Sequence, residues 1–320
     1  MTALALSLRV SVTDRCGLRC AYCSPASGSP QLAPDENLSY QAIAGFVRLL
    51  QARFGLAQVR LTGGEPLLRP RIERLVAMLA AQGVADLALT TSGQQLARLA
   101  GPLQQAGLKR INISLDSLDP AAFADLSGGG ALHATLAGIE AALEAGLRPV
   151  KLNMVVLRGR NDHEVSGLVR FAMEHGCQAR FLELMPIGAA EAGFEDLFVP
   201  SAEIRERLSR EFTLTPLPFD PRSTSRNYVA RDRRGLTTTV GFISPSSEPF
   251  CSACPRLRLT AAGMLLGCLA RPDGIPIAPL LRDPSALNEG AIAAAVGQAL
   301  NMKRRDGAFV QPRAMVGIGG

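Results

Sequence analysis

Residues 13–25 read T-D-R-C-G-L-R-C-A-Y-C-S-P and hold Cys16, Cys20 and Cys23 in a C-x3-C-x2-C pattern. Three thiolates so close together on a short loop can ligate three corners of one compact inorganic centre. A cubane [4Fe–4S] cluster has four irons, so three cysteines leave one iron without a protein ligand. A small molecule can coordinate that open iron and receive an electron from it.

This loop resembles the cluster loop of the radical S-adenosylmethionine (SAM) enzymes, including the aromatic Tyr22 just before the last cysteine. The alternative is a zinc site. A zinc site would need a fourth ligand, and the three histidines of the chain lie far from the loop in sequence. The pattern therefore favours an iron–sulfur cluster.

The composition is that of a globular protein, since 47% of the 320 residues are hydrophobic. No apolar run is long enough to cross a bilayer, and residues 1–10 lack the pattern of a signal peptide, so we expect a cytoplasmic protein with no membrane partner. Seven cysteines in such a protein indicate metal binding or catalysis rather than disulfides. The net charge of +6 is modest and the arginines are dispersed, so no nucleic-acid partner is expected.

Strand-like and helical patterns alternate from Leu6 to about Leu184. The predicted strands cover residues 7–13, 58–62, 86–91, 110–115, 150–156 and 179–184. Six βα units in succession predict a parallel sheet with right-handed crossovers. A closed (β/α)8 barrel would need two more units, and the periodicity stops near Met185. The predicted fold is therefore α/β, an open (β/α)6 partial TIM barrel.

Helix ends are predicted from capping residues. Asp162 is predicted to cap a helix over residues 163–175, and Ser201 a helix over residues 202–212. A final helix is predicted over residues 287–303. Four helices are expected to end at a glycine, which adopts the left-handed conformation at low cost: Gly83, Gly107, Gly146 and Gly176.

The character of the sequence changes after Pro186, where loops and prolines become frequent. We therefore predict two parts, the partial barrel over residues 1–187 and a C-terminal region over residues 188–320 that closes the barrel mouth. Within the second part, residues 237–243 are predicted to form a strand.

Unusual residues follow the predicted barrel strands, at the carboxyl edge where functional groups of such sheets gather. Each signal alone is weak, but together they predict one site at this edge. The segments are 62–66 (T-G-G-E-P), 91–93 (T-S-G), 114–117 (S-L-D-S) and 183–186 (E-L-M-P), with Lys151 and Asn153 on the fifth strand.

A second cysteine set, Cys251, Cys254 and Cys268, has C-x2-C-x13-C spacing. Alone it would also fit a zinc ribbon that lacks one ligand. Beside the first loop it favours a second open iron centre, this time facing the substrate. Arg256 and Arg258 alternate along a predicted strand and point to one side of it, where two guanidinium groups suit a phosphate or a carbonyl-bearing heterocycle.

Over nearly the whole chain, the motifs resemble those of the GTP 3′,8-cyclase (MoaA) family, radical SAM enzymes that begin molybdenum cofactor biosynthesis. The chain differs from the usual pattern at Ser92 and Pro255, where asparagine is common. The resemblance rests on S-V-T-D-R-C-G-L-R-C-A-Y-C, R-L-T-G-G-E-P-L-L-R, I-N-I-S-L-D-S-L, V-K-L-N-M-V-V, N-D-H-E, F-L-E-L-M-P, F-C-S-A-C-P-R-L-R-L-T and a final Gly-Gly.

The resemblance implies a role for each matching position. Two [4Fe–4S] clusters would be held by Cys16, Cys20 and Cys23 on the SAM side and by Cys251, Cys254 and Cys268 on the substrate side. The residues implied in SAM binding are Tyr22, Gly64, Ser114, Met185, Asn153 and Arg180. Those implied in GTP binding are Arg9, Arg60, Thr91, Lys151, Arg256, Leu257 and Arg258, and the Gly319-Gly320 tail is expected to reach into the same cavity.

The implied reaction begins with reductive cleavage of SAM to a 5′-deoxyadenosyl radical, which takes the C3′ hydrogen of GTP. A C3′–C8 bond then forms, giving 3′,8-cyclo-7,8-dihydro-GTP. The implied partners are an electron donor such as flavodoxin or ferredoxin and the next enzyme, cyclic pyranopterin monophosphate synthase; the resemblance is also compatible with a homodimer.

Two alternatives stay open on sequence alone. One is a peptide-modifying radical SAM enzyme with an auxiliary cluster, although such enzymes usually have more cysteines in the C-terminal part. The other is a zinc-binding protein without catalytic activity.

Overall fold

The computed structural model describes residues 5–23, 31–283, 287–303 and 309–319, which form an α/β fold around one large sheet. The described strands are β1 (Leu6–Ser11), β2 (Leu56–Thr62), β3 (Asp86–Thr91), β4 (Arg110–Ser114), β5 (Val150–Val156), β6 (Gln178–Glu183), β7 (Thr213–Pro216), β8 (Arg226–Arg231), β9 (Thr237–Ile243), β10 (Arg256–Leu259), β11 (Met264–Leu266) and β12 (Ile275–Pro276).

The α-helices lie between and after these strands. They are α1 (Tyr40–Phe54), α2 (Ile72–Ala81), α3 (Leu96–Gln105), α4 (Pro120–Ser127), α5 (Leu132–Glu144), α6 (Val165–Glu174), α7 (Phe194–Leu197), α8 (Ser201–Ser209), α9 (Ala278–Leu281), α10 (Glu289–Asn301) and α11 (Met315–Ile318). Short 3-10 turns cover Pro34–Glu36, Pro66–Leu68 and Gly188–Gly193.

Strands β1 to β6 are parallel neighbours in chain order, as the six βα units predict. Helices alternate with strands and bury their apolar stripes against the sheet, which keeps successive strands parallel. The four predicted terminal glycines all have positive φ, between 66° at Gly176 and 103° at Gly107. The open, six-unit barrel wall is therefore confirmed.

Two predicted helix caps are wrong. Helix α6 begins at Val165, and the Asp162 carboxylate instead accepts from the Gly159 amide and pairs with Arg207. Ser201 is the first residue of α8, with Pro200 before it, and its amide donates to Glu183. In both places a contact formed by distant residues replaces the local capping interaction. The final helix, α10, is also shorter than predicted at each end.

The C-terminal region extends the same sheet at both edges, which the sequence did not indicate. Strand β10 is parallel to β1 and continues into antiparallel β11 and β12. Strand β9 is parallel to β6 and continues into antiparallel β8 and β7. One hydrophobic core includes side chains from the barrel strands and from the added strands. No described helix has the length and hydropathy needed to cross a membrane.

Candidate active site

Two adjoining cavities open at the carboxyl edge of the parallel strands. The first is lined by Cys16, Cys20 and Cys23, and the second by Cys251, Cys254 and Cys268. Six residues line both cavities, so the two cysteine sets lie in neighbouring cavities with a shared wall. The residues of that wall are Arg9, Leu182, Met185, Ile243, Arg258 and Leu269.

The loop that carries the first cysteines is docked on the Gly63-Gly64-Glu65 segment after β2. The Gly64 amide donates to Thr13 O at 2.7 Å, and the Glu65 amide donates to Arg15 O at 2.8 Å. A Cβ atom on Gly64 would lie 2.4 Å from Arg15 O, so only glycine fits this contact. The two glycines therefore position the cluster loop as well as lining the cavity.

The end of α4 holds the same loop from the other side. The Arg19 amide donates to Ser127 O at 2.9 Å, and the Ala21 amide donates to Leu126 O at 3.0 Å. Gly128, with φ of 67°, has no room for a Cβ because Arg19 O would lie 2.5 Å away. This second anchor had no recognisable sequence signal, since it depends on how α4 lies beside the loop.

Tyr22 is fixed to the sheet by a buried carboxylate. Its hydroxyl donates to Asp116 Oδ2 at 2.6 Å, and Asp116 Oδ1 accepts from the Val155 amide at 2.8 Å. Burial raises the pKa of Asp116 to about 6, although the bonds from Tyr22 and Val155 oppose the rise. Burial, and secondarily the charge of Asp116, also raises the pKa of Cys20.

Glu65 joins the ends of β2 and β3. Its carboxylate accepts from Thr91 Oγ1 at 2.7 Å and from both the amide and the hydroxyl of Ser92, at 2.8 and 2.7 Å. Ser92, one of the departures from the family pattern, is thus a donor to this buried acid. These hydrogen bonds hold the segment after β2 against the end of β3 at the carboxyl edge of the sheet.

The second cysteine set is brought together by the β10–β11 hairpin. Arg258 pairs with Leu266, so the same antiparallel register continued by two residues sets Cys268 beside Arg256. The Arg256 guanidinium lies over the Phe250 ring, with 4.8 Å from Cζ to the centroid. Burial opposes ionisation of Cys254, but the positive charges of Arg256 and Lys303 outweigh it, and the pKa of this thiol is lowered.

Arg258, Arg9 and Arg60 form a row of cations across three adjacent strands. They are register partners in β10, β1 and β2, and side chains at matched positions of parallel strands point to the same face. Burial, followed by the charge of Arg256, lowers the pKa of Arg9 to about 10. The Arg60 Nε atom is buried and finds no hydrogen-bond partner among the described residues. A buried guanidinium nitrogen without an acceptor, next to further cations, is a feature of an anion site.

The first cavity is lined by every residue implied in SAM binding: Tyr22, Gly64, Ser114, Met185, Asn153 and Arg180. The buried Asn153 Oδ1 has no hydrogen-bond partner in the described part of the chain. Burial, followed by the charges of Arg110 and Arg9, lowers the pKa of Arg180 to about 10.

The residues implied in GTP binding divide into two groups. Arg9, Arg60, Thr91, Arg256 and Arg258 line one or both cavities, whereas Lys151 and Leu257 line neither. The Leu257 side chain is fully buried in the hydrophobic core, so this residue offers no side-chain atom to a ligand. Gly319 is buried and its carbonyl accepts from the Arg258 guanidinium, while Gly320 lies outside the described residues.

Both cysteine sets suit a cubane cluster, because each set places three thiols on the wall of its own cavity. Three thiolates ligate three of the four irons of such a cluster. All seven cysteines are thiols rather than disulfides.

The chain resembles known proteins over almost all its length. The Radical SAM superfamily profile matches residues 10–172, and the Molybdenum Cofactor Synthesis C profile matches residues 177–309. The GTP 3′,8-cyclase of Moorella thermoacetica is 43% identical over 319 residues, 98% of this chain and 97% of the relative. GTP 3′,8-cyclase 1 of Pseudomonas aeruginosa is 43% identical over 297 residues, 92% of this chain and 89% of the relative.

Among solved structures, Streptococcus suis SuiB bound to S-adenosylmethionine has a similar fold. It superposes with a TM-score of 0.63 at 16% identity, covering 91% of this chain and 68% of SuiB. SuiB bound to its precursor peptide SuiA gives a TM-score of 0.53 at 18% identity, covering 65% of this chain and 46% of that chain. At this identity the likeness shows the fold alone.

Proposed function

The chain belongs to the GTP 3′,8-cyclase family of radical SAM enzymes, and from this we propose that its two adjoining cavities bind SAM and GTP for the radical cyclisation of GTP. The reaction is the first step of molybdenum cofactor biosynthesis. The observation that carries the proposal is that the two cysteine-lined cavities adjoin along six shared residues, because a radical formed in one cavity would then lie next to a substrate bound in the other.

In the first cavity, Cys16, Cys20 and Cys23 would hold a [4Fe–4S] cluster. When bound, this cluster and SAM supply the electron and the 5′-deoxyadenosyl radical that removes the C3′ hydrogen of GTP. The remaining residues position SAM: Tyr22, held by Asp116, offers an aromatic face, and the Gly64 backbone permits close approach. Ser114, Asn153, Arg180 and Met185 complete this wall.

In the second cavity, Cys251, Cys254 and Cys268 would hold the other [4Fe–4S] cluster, and its iron without a protein ligand would be available to GTP. Arg9 and Arg258, which line both cavities, and Arg60, which lines the first, would bind phosphate oxygens, since their guanidinium groups form one row of cations. Arg256 of the second cavity and Thr91 of the first would add further bonds. Lys151 would act through its charge, and Leu257 only through its backbone.

The Gly319-Gly320 tail would hold GTP and SAM in the reactive arrangement. Gly319 supports this role because its carbonyl accepts from Arg258 and its Cα faces Ser11 and Thr62 closely. Glycine suits such a crowded place, since it has no side chain to accommodate.

The electron donor, the next enzyme and the location of the protein form a further part of the proposal. Flavodoxin or ferredoxin would reduce the first cluster, and cyclic pyranopterin monophosphate synthase would receive the product. Seven thiols without a disulfide are typical of a reducing compartment, which supports the cytoplasm. A homodimer is testable by light scattering.

The test is anaerobic reconstitution with iron and sulfide, followed by incubation with SAM, a reductant and each nucleoside triphosphate in turn. We expect a brown protein that forms 5′-deoxyadenosine and a cyclised product with GTP alone. Zinc without acid-labile sulfide would contradict the cluster assignment. Cleavage of SAM without a product from GTP would leave a radical SAM enzyme with another substrate, such as a peptide.

A further inference from the structure

Lys303 is half-buried beside the second cysteine set, although no motif indicated it. Its ammonium donates to Arg256 O at 2.5 Å and to Gly267 O at 3.0 Å, and it lies 3.8 Å from Cys254 Sγ. Gly267 immediately precedes Cys268, and Arg256 follows Cys254 by two residues. One side chain therefore connects both halves of the cysteine set, which thirteen residues separate in sequence.

The position of Lys303 is set by helix α10. Gly267 lies against the last turn of this helix so closely that a Cβ would meet Ala299 O at 1.8 Å. Because Gly267 has no side chain, the β10–β11 hairpin lies directly against α10. Lys303, two residues after the end of this helix, can therefore reach the cysteines. Carbonyl groups at a helix C-terminus also favour a nearby cation.

The three acceptors of Lys303 are all electron-rich, and one of them is a sulfur that would bind iron. A hydrogen bond and a positive charge at a thiolate stabilise the reduced, more negative form of an iron–sulfur cluster. Groups behind the ligands tune a metal centre in this way while they also orient the ligands. The same ammonium would therefore act on both the geometry and the electronics of the site.

We propose that Lys303 is a positioning residue of the second cluster, which holds Cys254 and Cys268 in their relative places and raises the reduction potential of the cluster bound there. This inference rests on the proposed assignment of Cys251, Cys254 and Cys268 as ligands.

The test uses the full-length chain in which Cys16, Cys20 and Cys23 are replaced by Ala, so that only the second cluster forms. In this background Lys303→Met removes both charge and hydrogen bonds, whereas Lys303→Gln keeps donors for the carbonyls without the charge. Iron and sulfide content, the rate of iron release to a chelator, and the potential from a redox titration followed by electron paramagnetic resonance are measured. Lys109→Met, at an exposed site, is the matched control.

We expect both neutral variants to shift the reduction equilibrium about tenfold toward the oxidised cluster, which is about 59 mV for one electron. Lys303→Met should also lose iron faster than Lys303→Gln. If both Lys303 variants lost the cluster but unfolded at the same temperature as the Lys109→Met control, this would likewise support the positioning role. Unchanged potential and unchanged iron release would overturn it. A background protein that binds no iron would instead contradict the ligand assignment and hence the proposed function.

Discussion

The two cysteine sets have the same number of thiols but opposite electrostatic surroundings. Cys20 stands near the buried acid Asp116, and burial together with that charge raises its pKa. Cys254 stands near Arg256 and Lys303, and these cations lower its pKa in spite of burial. The thiols of the two cavities therefore differ in their nearest charged neighbours, although arginines line both cavities.

This difference agrees with the proposed places of the two substrates. The sulfonium and ammonium groups of SAM are compatible with a nearby carboxylate such as Asp116, whereas the carboxylate of SAM and the triphosphate of GTP need cations. Three thiolates alone would not distinguish the two cavities. The charged residues next to the thiols do distinguish them, and variants at these positions test the difference.

The largest effect is expected from removing each cysteine set. Wild-type protein should reconstitute to about eight irons per chain, since two open clusters hold four each. Replacing Cys251, Cys254 and Cys268 together by Ala should halve the iron and abolish the cyclised product while SAM cleavage persists. Replacing the first set should halve the iron and abolish 5′-deoxyadenosine.

The matched control is Cys177→Ala, because this buried thiol lines neither cavity. It should leave iron content and both products unchanged. Iron and sulfide assays with chromatography of the products give the answer. An iron count that stays at the wild-type value in either triple variant would refute the two-cluster assignment.

A second prediction concerns Arg258, which lies on the wall shared by the two cavities. Arg258→Ala should weaken GTP binding about tenfold or more, because a charge-assisted bond contributes about 1.5–3 kcal/mol. SAM binding should remain, since no residue implied in SAM binding is changed. Isothermal calorimetry with each ligand measures this, and Arg53→Ala, which removes an exposed ion pair with Glu289, is the control. An equal loss of affinity for GTP and for SAM would mean that the two cavities do not bind their ligands separately.

A third prediction concerns the Gly319-Gly320 tail. Gly319→Val requires a side chain at a φ of 77° and 2.9 Å from Ser11 Cβ, so the tail must move away. Transfer of deuterium from C3′-labelled GTP to 5′-deoxyadenosine should fall about a hundredfold, because small misplacements are costly in rate. Iron content should not change. Gly317→Val is the control, since its Cβ would meet nothing within 4 Å; similar rates for the two variants would contradict a role for the tail.

Much of the barrel and both cysteine sets could be predicted because their signals are local. Strand and helix periodicity defines β1 to β6, and a C-x3-C-x2-C loop is recognisable by itself. The row of Arg258, Arg9 and Arg60 could not be derived from spacing, since it exists only because β10 pairs with β1.

The same limit explains the errors and omissions. Asp162 and Ser201 have the residue types of caps, but Asp162 accepts from the nearby Gly159 amide and pairs with the distant Arg207, and the Ser201 amide donates to the distant Glu183. Lys303 reaches the cysteines through the packing of α10 on Gly267, a contact between backbones that leaves no pattern in side-chain chemistry. Leu257 lies between Arg256 and Arg258 on β10, so its side chain takes the opposite face and is buried in the core. Lys151 lies on a suitable strand but lines neither cavity.

The smallest effect concerns how far the cationic region around the row of Arg258, Arg9 and Arg60 extends into the barrel. Burial, followed by the charges of Arg180, Arg110 and Arg60, lowers the pKa of Lys151 to about 7. A triphosphate nearby would favour the ammonium form of Lys151 and raise its pKa. GTP binding above pH 7 should therefore take up a proton, and the affinity for GTP should fall by no more than about tenfold per pH unit as the pH rises.

Calorimetry at pH 8 in buffers of different ionisation enthalpy measures the proton uptake. Lys151→Met should lose it, whereas the exposed Lys109→Met should keep it. If Lys151→Met takes up as many protons as the wild type, the protonation of Lys151 does not change when GTP binds, and the cationic region that contacts the triphosphate ends at the arginine row.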